Sequence, residues 1–544
     1  MSSRHSHSTT RTLAVVLPLL VMAGCLFRSA PAPEEEDEPE THQMRLKEIA
    51  PEVREVVEAN DDFAFDLYAR LAQANSGKNL FFSPYSVSSA LALVAEGARG
   101  ETAQEMGKVL RYPNGVRSKG EDARTIPWDM ARIHTGMAAL NGHFESGNRA
   151  APKAVRDRLA SLRQQLQAAD RETEKQSRSG GFNEAQASKQ NGDRIADEIN
   201  HLQSQYDWYE LRIANALWGE KTYPFRQAYL DTLEKYYRTG GYFPVDFKND
   251  FEGSRRRINA WVEEKTRNRI RDLIPQDASD AETQKLVRLI LTNAVYFKGE
   301  WAAIFPKEAT KNDDFFLSDG KKARVPMMAY RDMKGARYAA FKGDGSSFDT
   351  PNQIEIGEKD EKKMYPDKSG FQMLELPYKG GETSMVLIVP RSADGLAALE
   401  TKLIGPDVRA WIGKMEKRKV HAFVPRFKLE TKYDMGGTLQ GMGMVRAFVD
   451  PRQANGAQFD GMSASSDPEQ KLYVTKVLHK AFVEVNEKGT EAAAATAVSM
   501  AVGAAAPRSA PFTPVFKADR PFVFLIRDVK TGTILFVGRL VNPI

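Results

Sequence analysis

From Glu52 onward the apolar positions fall into two rhythms. "EVREVVEANDDFAFDLYARLAQ" repeats them at three- and four-residue spacing, which lines one face of a helix. "SVSSALALVAEGA" continues that pattern behind serines of the kind that cap helix starts. Later segments change character. "KLVRLILTNAVYFKGEW" and "FQMLELPYKGGETSMVLIVP" are rich in β-branched and aromatic residues, and the second pairs two strands across a Lys-Gly-Gly turn. "RPFVFLIRDVKTGTILFVGRLVNP" predicts another apolar hairpin, with Lys530, Thr531 and Gly532 at its turn. Helices first, strands later and a buried closing hairpin predict an α+β fold in one domain, residues 49–544.

Two stretches break the pattern. Residues about 144–205 are polar, with Gln, Ser and Gly clustered from Gln176 to Gly192. On either side, Val155, Leu159, Leu162 and Leu166, then Ile195, Ile199, Leu202 and Tyr206, keep 4-3-4 spacing. Two short helices forming an antiparallel hairpin would bury both stripes. Laying them on the main core is the other arrangement open to them. Residues about 342–370, rich in Gly, Asp and Lys, read as a long surface loop.

A third stretch breaks a different rule. Ala492–Ala506 is a charge-free run of small or apolar residues between Gly489 and a segment with Pro507, Pro511 and Pro514. Alanine favours helix, yet the run has no one-sided stripe. It is also shorter than the roughly 20 residues a bilayer span needs.

The N-terminus carries its own address. Arg4 and Arg11 precede an apolar run from Leu13 to Met22, then Ala23, Gly24 and Cys25, the composition of a signal peptide over residues 1–24. The small residues ahead of the single cysteine resemble a bacterial lipobox, which implies lipidation at Cys25. Ordinary cleavage leaving a free thiol is the alternative. Residues 25–48, acidic and Pro-rich, cannot build a core and read as a flexible tether. A lipid anchor on a tether predicts an extracytoplasmic protein, membrane-anchored at the cell surface or in the periplasm, and otherwise secreted.

Composition narrows the function classes. The 544 residues are 42% hydrophobic, and 77 Lys and Arg against 72 Asp and Glu leave a mild net charge of +5. Without a nucleic-acid-binding motif, that charge makes nucleic acid a poor partner. Eight scattered histidines with neither HExxH nor CxxC give no metal site, and one cysteine cannot form a disulfide within the chain. GxSxG is absent, so no hydrolase is expected, and no cofactor either.

Four separated segments then act together. "NLFFSPYSVSSAL", "LTNAVYFKGEW", "KVLHKAFVEVNEKGTEAAAATA" and "RPFVFLIRDVKTGTILFVGRLVNP" resemble the serpins in order and approximate spacing. The resemblance covers residues from about 52 to the end, apart from the two insertions. It implies a serpin fold, with three β-sheets layered among about eight to nine helices and an exposed reactive loop near the C-terminus. It also implies a monomeric inhibitor of serine proteases rather than an enzyme. The target attacks the loop and forms a covalent acyl-enzyme, and the cut loop then enters a sheet and distorts the bound protease.

Residue roles follow from the same resemblance. Ser83, Pro84 and Ser86, with Asn293 and His479, match the family's shutter beneath the sheet that opens. Taken alone, His479 reads as an ordinary core histidine and Ser83 as a helix cap. Glu487 matches the breach acid at the top of the sheet, Arg426 its basic partner, and Trp301 packs near them. Gly489, Thr490, Glu491, Ala492, Ala493, Ala494 and Ala495 match the hinge. Their physical character agrees, since small side chains can slide under a sheet and no proline interrupts before Pro507. The family's count from the breach acid places the reactive bond at Gly503–Ala504, with Val502 and the Arg508–Ser509 bond as alternatives. "Met500-Ala501-Val502-Gly503" suits elastase- or subtilisin-like targets. The competing reading is a non-inhibitory surface interaction protein whose loop is only a protease substrate.

Overall fold

The strand Leu289–Glu300 is buried along most of its length, so its sequence is a continuous apolar run rather than an alternation. One face meets Ser86 on helix Pro84–Gly97, and Ala294 packs with Ile258 and Val262 of helix Phe251–Lys265. The computed structural model describes residues 49–147, 153–179, 182–204, 209–237, 242–276, 287–347, 369–490 except 464, 466, 468 and 469, and 513–544. All of them belong to one compact unit.

Three sheets organise the chain. The six-stranded sheet runs in the order Phe427–Asp434, Val477–Asn486, Gly489–Thr490, Leu289–Glu300, Tyr209–Glu220 and Tyr242–Val245. A seven-stranded sheet runs Leu80–Phe82, Ile534–Leu540, Phe522–Asp528, Thr383–Pro390, Phe371–Pro377, Arg337–Phe341 and Glu416–Lys417. Both hairpins expected from the sequence lie in it, and Gly380 and Gly381 supply the positive φ of the Lys-Gly-Gly turn. A four-stranded sheet runs Val515–Lys517, Val420–Pro425, Lys322–Met333 and Lys311–Phe316.

Helix Pro84–Gly97 threads the interior, packing on Tyr209–Glu220 and Leu289–Glu300 and on Ile534–Leu540. Every residue of it except Glu96 is buried. Ser83 caps it by accepting the Ser86 amide, and Pro84 occupies the first turn, where its missing N–H costs nothing. Eleven α-helices occur among the described residues, two more than the upper expectation. Those two are Lys153–Ser179 and Phe182–Ser204.

The pair forms its own small core, in which Leu162, Ile195 and Ile199 are buried and Val155, Leu166 and Leu202 pack around them. Arg158 meets Glu198 at 2.6 Å, so the two helices run antiparallel. The hairpin of stripes was legible, but the helices are long, about 40 Å for the 27-residue first one at 1.5 Å per residue. The expected start of the insertion needs correction. Phe144 and His143 belong to helix Met130–Gly147, with Phe144 edge-on to Tyr85 and His143 bonded to Asp528. The body therefore continues through that helix. Most of the loop expected over residues 342–370 lies outside the described residues, as do residues 1–48, where the signal and tether segments were expected.

Candidate functional site: a sheet split at one end

Strand Val477–Asn486 ends at Asn486, and the chain turns back through Glu487 and Lys488. Gly489 and Thr490 then lie antiparallel beside it, opposite Asn486 and Val485. Their other edge pairs with Glu300 and Gly299 of Leu289–Glu300. Further along, the same two long strands touch directly in parallel, from Val477 opposite Leu291 to Phe482 opposite Tyr296. A two-residue wedge thus holds one end of the sheet apart, while the rest is closed.

The wedge is shaped by what it lacks. Gly489 has φ +150°, and a Cβ there would stand 2.0 Å from the Gly299 carbonyl oxygen. Only glycine passes. Thr490 is fully buried, and its hydroxyl lies 2.7 Å from the Tyr378 hydroxyl. The turn is held by its carbonyls: Trp301 N–H donates to Lys488 O at 2.7 Å, Phe305 N–H to Glu487 O at 2.8 Å, and the Trp301 indole to Asn486 O at 2.9 Å.

Glu487 accepts the Thr310 hydroxyl at 2.9 Å and meets Arg426 at 3.7 Å. Arg426 is half exposed, so that ion pair is worth at most about 1 kcal/mol. Glu487, Arg426 and Trp301 therefore lie together at the turn, which carbonyl contacts hold more than charge does.

Midway down the closed part lies a second cluster. Asn293 and His479 are partners across the two parallel strands, and the His479 Nδ1–H donates to Asn293 Oδ1. The Ser83 amide donates to His479 Nε2 at 3.1 Å. Asn293 Nδ2 donates to Ser86 Oγ and to Asn215 Oδ1, both at 2.8 Å. Asn215 Nδ2 returns a bond to the Ser86 carbonyl at 2.8 Å. Each of these side chains is buried, and burial drops the His479 pKa to about 3. The ring is neutral, and it ties the central helix to both strands.

The structure therefore brings Ser83, Ser86, Asn293 and His479 together in one hydrogen-bonded cluster, while Pro84 contributes backbone geometry. Asn215, Tyr378, Gly299 and Thr310 were not anticipated. Asn215 carried a signal, as a lone amide inside the apolar run "LRIANALWG". Of the hinge, Gly489 and Thr490 are placed; Glu491 and Ala492 to Ala495 lie outside the described residues. So do Val502, Gly503, Ala504, Arg508, Ser509 and Cys25. Among the described residues, no group of three His, Cys, Asp or Glu side chains could hold a metal, and no helix is long and apolar enough to cross a membrane.

A sheet with parallel central strands, wedged at one end by the start of a further strand, defines a protein whose fold has a place for an added strand. The chain belongs to the serpin family: the Serpin (serine protease inhibitor) family model matches residues 58–156 and 158–543. It is 35% identical to human Serpin B3 over 490 residues, covering 89% of this chain and 99% of that protein. It is 32% identical to an uncharacterized serpin-like protein of Thermococcus kodakarensis over 546 residues, covering 98% and 99%. Uncleaved ovalbumin has the same fold, with a TM-score of 0.61 at 23% identity, covering 90% of this chain and all of that one. Human thyroxine-binding globulin gives 0.62 at 23%, covering 90% and 99%. Most serpins inhibit proteases and are not catalysts.

Proposed function

We propose that this protein is a single-use inhibitor of serine proteases, tethered outside the cytoplasm through a lipid on Cys25. The target's serine attacks the Gly503 carbonyl, the Ala504 amine leaves with a proton, and an ester joins protease to loop. The loop from Thr490 then extends the existing wedge into a full strand between Val477–Asn486 and Leu289–Glu300. The attached protease is dragged along, and its distorted oxyanion hole no longer supports hydrolysis of the ester.

One observation carries this reading: Gly489 and Thr490 are already paired to both flanking strands. The residues that follow, Glu491 to Ala497, offer little bulk to resist continued pairing. Small apolar residues before the bond favour elastase- or subtilisin-like targets. Mixing the purified protein with pancreatic elastase or subtilisin tests it. An SDS-stable complex and a cleaved form far more heat-resistant than the intact one are expected. Cleavage with neither would leave a surface interaction protein whose loop is merely a substrate.

A further inference from the structure

Tyr378 stands at the end of strand Phe371–Pro377, in a different sheet from the wedge, yet it reaches beneath it. Its ring lies nearly flat on Trp301, with centroids 4.6 Å apart and planes 9° apart, and meets Phe297 edge-on at 5.1 Å. It passes under Leu289–Glu300 at the one residue that permits it. A Cβ on Gly299 would stand 2.7 Å from Tyr378 Cδ1. Gly299 is also the register partner of Thr490. The tyrosine hydroxyl therefore arrives at the Thr490 hydroxyl from below, in a socket lined by Gly299 and two aromatic rings.

We propose that Tyr378 is a positioning residue that latches the hinge threonine into the sheet before any protease has acted. The argument is one of satisfaction. Tyr378 is wholly buried, and a buried phenol hydroxyl needs a partner. With the wedge seated, Thr490 is that partner at 2.7 Å. With the wedge withdrawn, the hydroxyl must recruit water into an aromatic socket or go unpaired, so the withdrawn state is disfavoured. The socket accordingly selects a hydroxyl at position 490, as well as a small side chain. It also makes strand entry a continuation of pairing already begun. This last consequence rests on the inhibitor reading; the latch itself does not.

Hydrogen exchange on the intact protein, without protease, separates the two. The amides of Gly489 and Thr490 should be protected in the wild type. Tyr378→Phe keeps both ring contacts and loses only the hydroxyl; its exchange at these amides should be about tenfold faster, the factor one buried hydrogen bond carries. Thr490→Val should match it, the double variant should add nothing further, and Thr490→Ser should restore protection. Peptides around Ser86 and His479 should exchange as in the wild type. Equal protection in Tyr378→Phe, or additive effects in the double variant, would overturn the latch. If the wild type forms SDS-stable complexes, Tyr378→Phe should also raise the number of inhibitor molecules consumed per protease, with its melting temperature little changed. An unchanged number would overturn the link from latch to strand entry.

Discussion

His479 and Asn293 face each other across the only seam that must part if the sheet is to admit another strand, and one hydrogen bond joins them. The Ser83 amide donates to the other ring nitrogen, so the proton of the neutral imidazole is fixed on Nδ1. A second proton would point at an N–H already there. The seam is thus fastened by an uncharged, directional network, which holds the strands in register yet can be undone without separating charges.

This gives the network an acid limit. An unfolded histidine takes up a proton near its ordinary value of 6.5, whereas the folded one does so only near 3. The contribution of His479 is therefore complete above pH 6.5 and is lost as pH falls through that window, at about 1.4 kcal/mol per pH unit. Asp61 and Glu375 titrate as well, so the test is a comparison. The stability gap between wild type and His479→Asn in urea unfolding should narrow by about 2 kcal/mol from about pH 7.5 to about pH 5. A gap independent of pH would mean that the buried ring is not neutral.

Thr490→Arg should convert inhibitor to substrate. The threonine is fully buried between the two strands and above Tyr378, so an arginine there places an unpaired charge in the socket, at a cost of several kcal/mol. Strand entry slows while hydrolysis of the ester does not. The expected readout is cleavage at the wild-type rate with little SDS-stable complex on gels. Undiminished complex formation at wild-type stoichiometry would count against entry at this position.

Much of this was legible because it is periodic or local. The apolar runs named the hairpins, the capping serines named the helix that follows them, and the paired stripes named the added helices. The split in the sheet was not legible. Tyr378 precedes a turn, 112 residues before Thr490, and nothing around it marks a side chain that crosses to another sheet. Gly299 likewise reads as an ordinary strand glycine until the ring beneath it is seen. The resemblance paired Glu487 with Arg426, but their 3.7 Å separation and the exposure of Arg426 show how little of the turn depends on that ion pair. The insertion's start was misplaced because Phe144 sits beside polar residues in the chain while packing on Tyr85 in space.

The helical arm should be dispensable for the body. Arg158 and Glu198 pair across its base at 2.6 Å, so a short Gly-Ser turn can replace residues 159–197 without moving the remaining ends. The buried Leu162 and Ile195 leave together, and Phe144 and the His143–Asp528 contact are kept. The trimmed protein should melt within a few degrees of the full one and keep its inhibition. A large loss of melting temperature would show that the arm braces the body as well as itself.

The last expectation is the bond that is cut in the trapped complex. Arg508–Ser509 is open to any trypsin-like enzyme, whereas Gly503–Ala504 lies where the family's count from Glu487 falls. Length decides between them. Inserting Thr490 to Gly503 moves an attached protease by roughly 46 Å, at about 3.3 Å per residue. A cut after Arg508 would leave five further residues between strand and protease, roughly 16 Å of slack on the same scale. A protease on the slack tether keeps its triad and oxyanion hole and hydrolyses the ester; one held short is pulled against the body. Val502–Gly503 shortens the tether by one residue and is the nearest competitor. Elastase or subtilisin should therefore be trapped, and trypsin should only cleave after Arg508. Mass measurement of the C-terminal fragment released from the complex reads the answer directly. A fragment beginning at Ala504 is expected. One beginning at Ser509, from a stable trypsin complex, would make Arg508 the bait and would require slack to be tolerated.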